Sequence, residues 1–170
     1  ILSSEISLIL GPDESLAGSI SQTSKEFYGR TLDYWMEWCR YLSVPLEWQE
    51  AVIRAAITLK LSSFEESGAI IAAPTTSIPE APGSKRNWDY RFCWIRDASM
   101  VIKVIAKLGH VRIVKNFIEF IIDLIPTKEQ KLQIMYGIKG EKVLAEKTLD
   151  HLSGYKNSKP VRVGNAAFSQ

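Results

Sequence analysis

The chain has 170 residues, 46% hydrophobic and 24% charged, with a formal net charge of +2. This is the composition of a globular protein with enough residues for one sizeable core. It argues against electrostatic capture of nucleic acid or anionic lipid, and the densest apolar run, Phe117 to Ile125, is cut by Glu119 and Asp123, short of the roughly 18 residues of a membrane span.

Residue 1 is Ile and no basic-then-apolar leader follows it, so Ile1 is expected to mark a gene-model boundary. Residues 1–22 read as strand and loop. Ile6 to Leu10 is apolar and β-branched, and Gly11-Pro12-Asp13 punctuates it. So short a strand cannot form a sheet alone, and it is expected to be the end of a β-domain. Ser24 to about Cys39 reads as a helix, with Ser24 as cap and Tyr28, Leu32, Trp35 and Cys39 on one face. Pro45 breaks the chain. A second helix follows over about 47–61, with Val52, Ala55, Ala56 and Leu59 as its apolar stripe.

Residues 62–94 form a long irregular stretch containing Pro74, Pro79, Pro82, Gly68 and Gly83, with a short strand predicted over 69–73. Loops of this length are uncommon in folded domains unless they build a site. A third helix is predicted from Asp97 to Gly109, its inner stripe being Val101, Ile102, Ile105 and Leu108. A fourth covers 111–124 and stops before Pro126, the hairpin turning on Gly109-His110. At that helix end a partly cationic His110 is favoured by the helix dipole. Leu132 to Tyr136 reads as a short strand. Polar loop follows until Gly164, where another helix is expected to begin.

Cys39 and Cys93 form no CxxC pair and are expected to be buried, reduced thiols, which fits a cytoplasmic location. His110 and His151 sit in different segments without a matching ligand set, so neither a metal site nor a Ser-His-Asp arrangement is expected.

The densest chemical signal is Asn87-Trp88-Asp89-Tyr90-Arg91-Phe92-Cys93-Trp94-Ile95-Arg96-Asp97. Sugars need this mixture. Aromatic rings lie against the C–H faces of a pyranose, and carboxylate and guanidinium groups bond neighbouring hydroxyls with charge-assisted strength. An adjacent Arg-Asp pair presents a fork of donors beside two acceptors, and each group lowers the cost of burying the other. Plainer readings remain open: Asp97 as a helix cap, Trp88 and Trp94 as core, or arginines and aromatics stacking on single-stranded nucleic acid.

Resemblance narrows the choice. Ser67 to Glu80, with Ala69-Ile70-Ile71-Ala72-Ala73-Pro74 at its centre, and Arg86 to Ala98 closely resemble glycoside hydrolase family 15 in its glucoamylase/trehalase branch. So do Leu132 to Gly137, Gly154-Tyr155 and Pro160 to Ala167, so that the likeness spans roughly Tyr34 to Gln170. The resemblance implies a mainly α fold, a partial (α/α)6 barrel of helical hairpins preceded by the tail of a β-sandwich. On that plan residues 1–22 end the sandwich, 23–45 are a linker helix and 46–170 begin the barrel.

The resemblance also implies hydrolysis of α-glucosidic bonds with inversion, on an α-glucan or trehalose, without cofactor or metal. Arg96 and Asp97 match the pair that holds glucose hydroxyls, Trp94 and Tyr90 match pocket aromatics, and Arg162 and Asn165 match pocket-lining positions. Asp89 matches in place, with a role less clear. The general acid and base match nothing in these residues and are expected later in the chain. Glu65, Glu66 and Glu80 are expected to be solvated loop charges. Neither nucleic acid nor membrane is expected as a partner, and self-association through exposed barrel helices is. The alternative is a non-catalytic sugar-binding remnant.

Overall fold

Four α-helices dominate the described residues of the computed structural model, which are 4, 6–12, 14–125 and 132–170. The chain divides into two units, Ile1–Leu42 and Ser43–Gln170.

In the first unit, α1 spans Ile20–Arg40. It begins a turn earlier than the sequence suggests, and its cap is Ser19, not Ser24. The Ser19 hydroxyl accepts from the Gln22 amide at 3.2 Å from an extended backbone, the geometry an N-cap requires. Ser24 lies one turn inside, where no free amide needs it. Of the predicted face, Tyr28 and Leu32 stay exposed. Burial concentrates at Trp38, whose indole meets Trp35 edge-on with ring centroids 5.8 Å apart. Residues 6–10 form no strand. Leu8 and Leu10 are fully solvated, and no described segment pairs with them.

The second unit starts with α2, Gln49–Leu61. Ala56 is its buried centre, and Lys60, one turn on, is buried and ion-paired with Glu65. Helices α3 (Ile95–Lys107) and α4 (Val111–Leu124) form the predicted hairpin. Its turn is a Schellman closure: the Gly109 amide bonds Ala106 O at 3.1 Å and the His110 amide bonds Ile105 O at 3.2 Å. Phe117, Phe120 and Leu124 of α4 bury against Ala98 of α3 and against Ile70, Cys93 and Tyr136. Each large side chain so covered contributes about 2–3 kcal/mol. The loop carrying Ile70 reaches α4 through Gly68, whose φ is +83° and where any Cβ would overlap the Asn116 carbonyl.

Residues 62–94 are not structureless. They fold as an irregular antiparallel hairpin: Ala72 N bonds Phe92 O at 3.0 Å, Ala73 N bonds Tyr90 O at 3.0 Å, Ser77 N bonds Trp88 O at 2.9 Å and Glu80 N bonds Arg86 O at 2.9 Å. The strand predicted over 69–73 is reduced to one bridge, Ser63 to Ile70. Prolines 74, 79 and 82 have no amide to donate and interrupt the ladder.

The hairpin's end forms β1 (Cys93–Trp94), antiparallel to β2 (Met135–Tyr136), where the last two residues of the predicted 132–136 strand lie. A second pair, β3 (Lys147–Thr148) with β4 (Arg162–Val163), falls in what reads as polar loop. The final helix expected from Gly164 is a 3-10 turn, Ala166–Ser169, capped by Asn165, whose side-chain oxygen accepts from Ala167 N at 3.0 Å. Among the described residues, no helix is long and apolar enough to cross a membrane.

Candidate functional site

The aromatic segment enters the site along the hairpin and leaves it as α3. Trp94 is the last residue of β1 and the first flanking residue of α3, so Arg96 and Asp97 fall in the first helical turn. Asp97 therefore does not cap the helix. It sits past the cap position, where its charge still favours the positive end of the helix dipole. The turn is fixed from below by Ala98, which is buried, and by the Ser99 hydroxyl bonding Arg96 O at 2.6 Å.

Arg96 and Asp97 pair side by side. Both Arg96 Nε, at 3.2 Å, and Nη2, at 3.0 Å, donate to the same oxygen, Asp97 Oδ2. Nη1 of Arg96 and Oδ1 of Asp97 are left without a partner among the described residues, a donor beside an acceptor. The side chains are 74% and 38% exposed, so the pair faces solvent. Nearby in the chain, the rings of Tyr90 and Trp94 stand 5.9 Å apart between centroids, tilted by 44°. Both are half-buried.

Arg162 and Asn165 come from 65 or more residues later and meet the segment from the side. Arg162 is 16% exposed and engaged through Nη1, Nε and the face of its guanidinium. Its Nη1 donates to Asn87 O at 2.7 Å and Asn87 Oδ1 at 2.9 Å, its Nε pairs with Glu146 at 3.1 Å, and its guanidinium lies 4.4 Å above the Trp88 ring. Asn165 is buried, and its amide nitrogen donates to Asp89 O at 3.2 Å. The structure thus brings Tyr90 together with Trp94, Arg96 with Asp97, and Arg162 and Asn165 with Asn87, Trp88 and Asp89.

The arginines of the aromatic segment and Arg162 all face carboxylates. Arg91 is held by Asp89, a hydrogen-bonded contact that raises the guanidinium pKa above its ordinary value. Paired cations of this kind suit neutral polyols better than a phosphate backbone. Cys93 is a free, buried thiol whose pKa is pushed up by burial, which makes it inert rather than nucleophilic. Among the described residues, no group of three His, Cys, Asp or Glu side chains could hold a metal ion.

The carboxylates outside the motif are occupied or solvated. Glu65 pairs with Lys60, Glu80 with Arg86 at 2.7 Å, Glu141 accepts from Lys139 N at 2.9 Å, and Glu66 is exposed. A cavity of about 530 Å³ lies in this unit, lined by Leu61, Phe64, Ile71, Arg91, Phe92 and Val143 among others. None of the six sugar-contact candidates lines it.

Sequence reasoning missed Glu146 and left Asn87 without a role. Glu146 has no local signal, because it stands in a polar stretch and meets Arg162 only through the β3–β4 pairing. Asp89 and Arg91 carried one: residues two apart on extended chain share a face.

The profile of glycosyl hydrolases family 15 matches residues 48–170. Similar curated proteins include a trehalase of Mycolicibacterium smegmatis, 43% identical over 145 residues that cover 83% of this chain and 22% of that protein. A trehalase of Thermoplasma acidophilum is 40% identical over 140 residues, covering 82% of this chain and 24% of that protein. Trehalase 2 of Sulfolobus acidocaldarius is 38% identical over 159 residues, covering 92% and 27%. The chain spans between about a fifth and a quarter of the length of these relatives. No solved structure matches it significantly.

Proposed function

The chain belongs to glycosyl hydrolases family 15, and on that premise we propose that it is a segment of an inverting α-glucosidase of trehalase type, one that hydrolyses the α-glucosidic bond of trehalose to release glucose. The observation that carries this reading is the solvent-facing Arg96–Asp97 pair in the first turn of α3, with one open donor and one open acceptor side by side. That arrangement suits two neighbouring hydroxyls of one glucose unit. Tyr90 and Trp94 offer ring surface for the C–H face of the same sugar. Arg162 and Asn165 serve the pocket wall, holding Asn87, Trp88 and Asp89 in place.

Inversion requires a general acid and a general base roughly 6.5–9.5 Å apart, with room for water on one side. By family resemblance these glutamates belong to chain beyond Gln170. The family plan reads residues 1–22 as the end of a β-sandwich, 23–45 as a linker helix and 46–170 as the opening hairpins of an (α/α)6 barrel; since 6–10 form no strand and α1 already begins at Ile20, the sandwich part is supported by the resemblance alone. The exposed apolar positions Met100 and Val104 on α3 and Ile118 and Ile122 on α4 suit faces that neighbouring hairpins cover. A cytoplasmic location goes with the two free cysteines. No cofactor enters this chemistry, since proton transfer by carboxyl groups is sufficient.

The test is an assay of the complete gene product on trehalose and on maltose, with the anomer of the released glucose followed by NMR. Equal amounts of β-glucose, from the inverted carbon, and α-glucose, the leaving group, are expected from trehalose. Release from maltose alone would move the reading to a glucoamylase, and release from neither would leave a non-catalytic sugar-binding protein.

A further inference from the structure

Asp89 is the most enclosed carboxylate of the motif, with a side chain 0% exposed. Both of its oxygens accept two hydrogen bonds. Oδ1 takes Arg91 N at 3.2 Å and Arg91 Nε at 2.9 Å, and Oδ2 takes Arg91 Nη2 at 2.8 Å and Gly164 N at 3.0 Å. All four partners are donors. An amide at this position would turn an NH2 toward donors in either orientation, so the site specifically requires a carboxylate.

The bond to Gly164 is the one that leaves the local chain. Gly164 has φ +79°, and a Cβ there would overlap the Ala145 carbonyl, so its backbone is wedged between the 144–146 segment and Asp89. Around this contact the Asn165 side chain bonds Asp89 O, while Ser77 Oγ accepts from Arg162 N at 2.7 Å and Thr76 Oγ1 donates to Arg162 O at 2.6 Å. These neighbours are neutral. The Arg162 guanidinium crosses the junction to Asn87 and Trp88, and the Asp89 carboxylate is the charged group that crosses it in the other direction, onto the Gly164 backbone.

We propose that Asp89 is a positioning residue: its carboxylate pins the 162–165 turn against the aromatic segment and so sets where Tyr90, next in the chain, and Arg162 stand in the sugar pocket. This rests on the glycosidase reading above. Arg91 supplies the counter-charge from the solvent side, 45% exposed, and is not itself part of the tether.

The experiment compares wild type, Asp89→Asn and Arg91→Ala in the complete gene product, by steady-state kinetics on trehalose and by hydrogen exchange of the Gly164 amide. Asp89→Asn is expected to raise KM about tenfold or more with kcat within about threefold, and to speed exchange at Gly164 at least about tenfold. Arg91→Ala leaves the Gly164 bond to Asp89 in place and is expected to raise KM less than Asp89→Asn does. Unchanged protection at Gly164 in Asp89→Asn would overturn the tether. Lost protection with unchanged KM would overturn the positioning role, and an equal KM rise in Arg91→Ala would assign the effect to the ion pair instead. If Asp89→Asn does not fold, Asp89→Glu is read by the same two measurements, its extra methylene displacing the Gly164 contact while keeping the charge. An inactive wild type would overturn the glycosidase reading itself, and Gly164 exchange would still decide the tether.

Discussion

The Asp89 carboxylate and the Gly164 backbone amide lie 3.0 Å apart across 75 residues of sequence. Together with the bonds of Thr76, Ser77, Asn87 and Asn165, this contact joins the β3–β4 pair to the aromatic hairpin, and the Arg96–Asp97 pair stands at the end of that hairpin, where α3 begins.

Replacing Arg96 or Asp97 by Ala should damage sugar binding and spare the fold. Each side chain is expected to lose charge-assisted bonds to hydroxyls, about 1.5–3 kcal/mol per bond, or at least about tenfold in kcat/KM on trehalose. The pair is solvent-facing, so stability should change by no more than about 1 kcal/mol. Kinetics and thermal melts of the same variants decide the matter. A large drop in Tm with unchanged kcat/KM would make the pair a structural feature of the helix start.

Gly68→Ala should destabilise strongly. The new Cβ would demand a left-handed backbone from Ala and would overlap the Asn116 carbonyl of α4. Strain and overpacking together cost about 2–5 kcal/mol. Urea unfolding measures it, and a loss below about 1 kcal/mol would mean that the 62–70 loop can leave α4 freely.

Cys93 gives a pH signature. Burial raises its thiol pKa above the ordinary 9.0, the Asp97 charge adds to the rise, and a backbone hydrogen bond with Ile70 opposes it. The folded value is higher than the unfolded one, so the unfolded chain loses its proton first. The stabilising contribution is full below pH 9.0 and is lost as pH rises through the raised folded value. As pH rises through 9.0 and above, wild type should therefore lose more stability than Cys93→Ala. Parallel losses would contradict the assignment.

The outer faces of α3 and α4 should make residues 1–170, produced alone, associate. Met100, Val104, Ile118 and Ile122 are all exposed. Contiguous apolar surface of this kind drives association at micromolar concentration. Light scattering after size exclusion is the measurement. Ile118→Lys with Ile122→Lys should shift the chain toward monomer, and a wild type that is already monomeric would rule the idea out.

Much of the helical layout was legible beforehand because it is written in periodicity. The α4 boundaries and the Gly109-His110 turn follow from apolar spacing and from a residue that ends helices. The start of α1 was misplaced because Ser19 and Ser24 are equally good caps in sequence, and only the backbone conformation separates them. The β3–β4 pair was missed because two residues on each strand are too few to carry an alternating pattern.

The candidate site divides in the same way. Trp94, Arg96 and Asp97 are neighbours in the chain, and their juxtaposition follows from sequence order alone. That Asp97 lies inside the first turn and not at the cap was decided when Trp94 paired with Met135 and set where α3 begins.

The sequence by itself determined which chemistry was available: aromatic rings, paired charges and a family likeness, all of them properties of adjacent residues. Only the tertiary structure decided that Arg162 spends its guanidinium on Asn87, Trp88 and Glu146, and that Asp89 reaches Gly164. The reason is physical. Bonds between groups 75 residues apart depend on how loops close and which amides are left unpaired, and neither is encoded in local spacing.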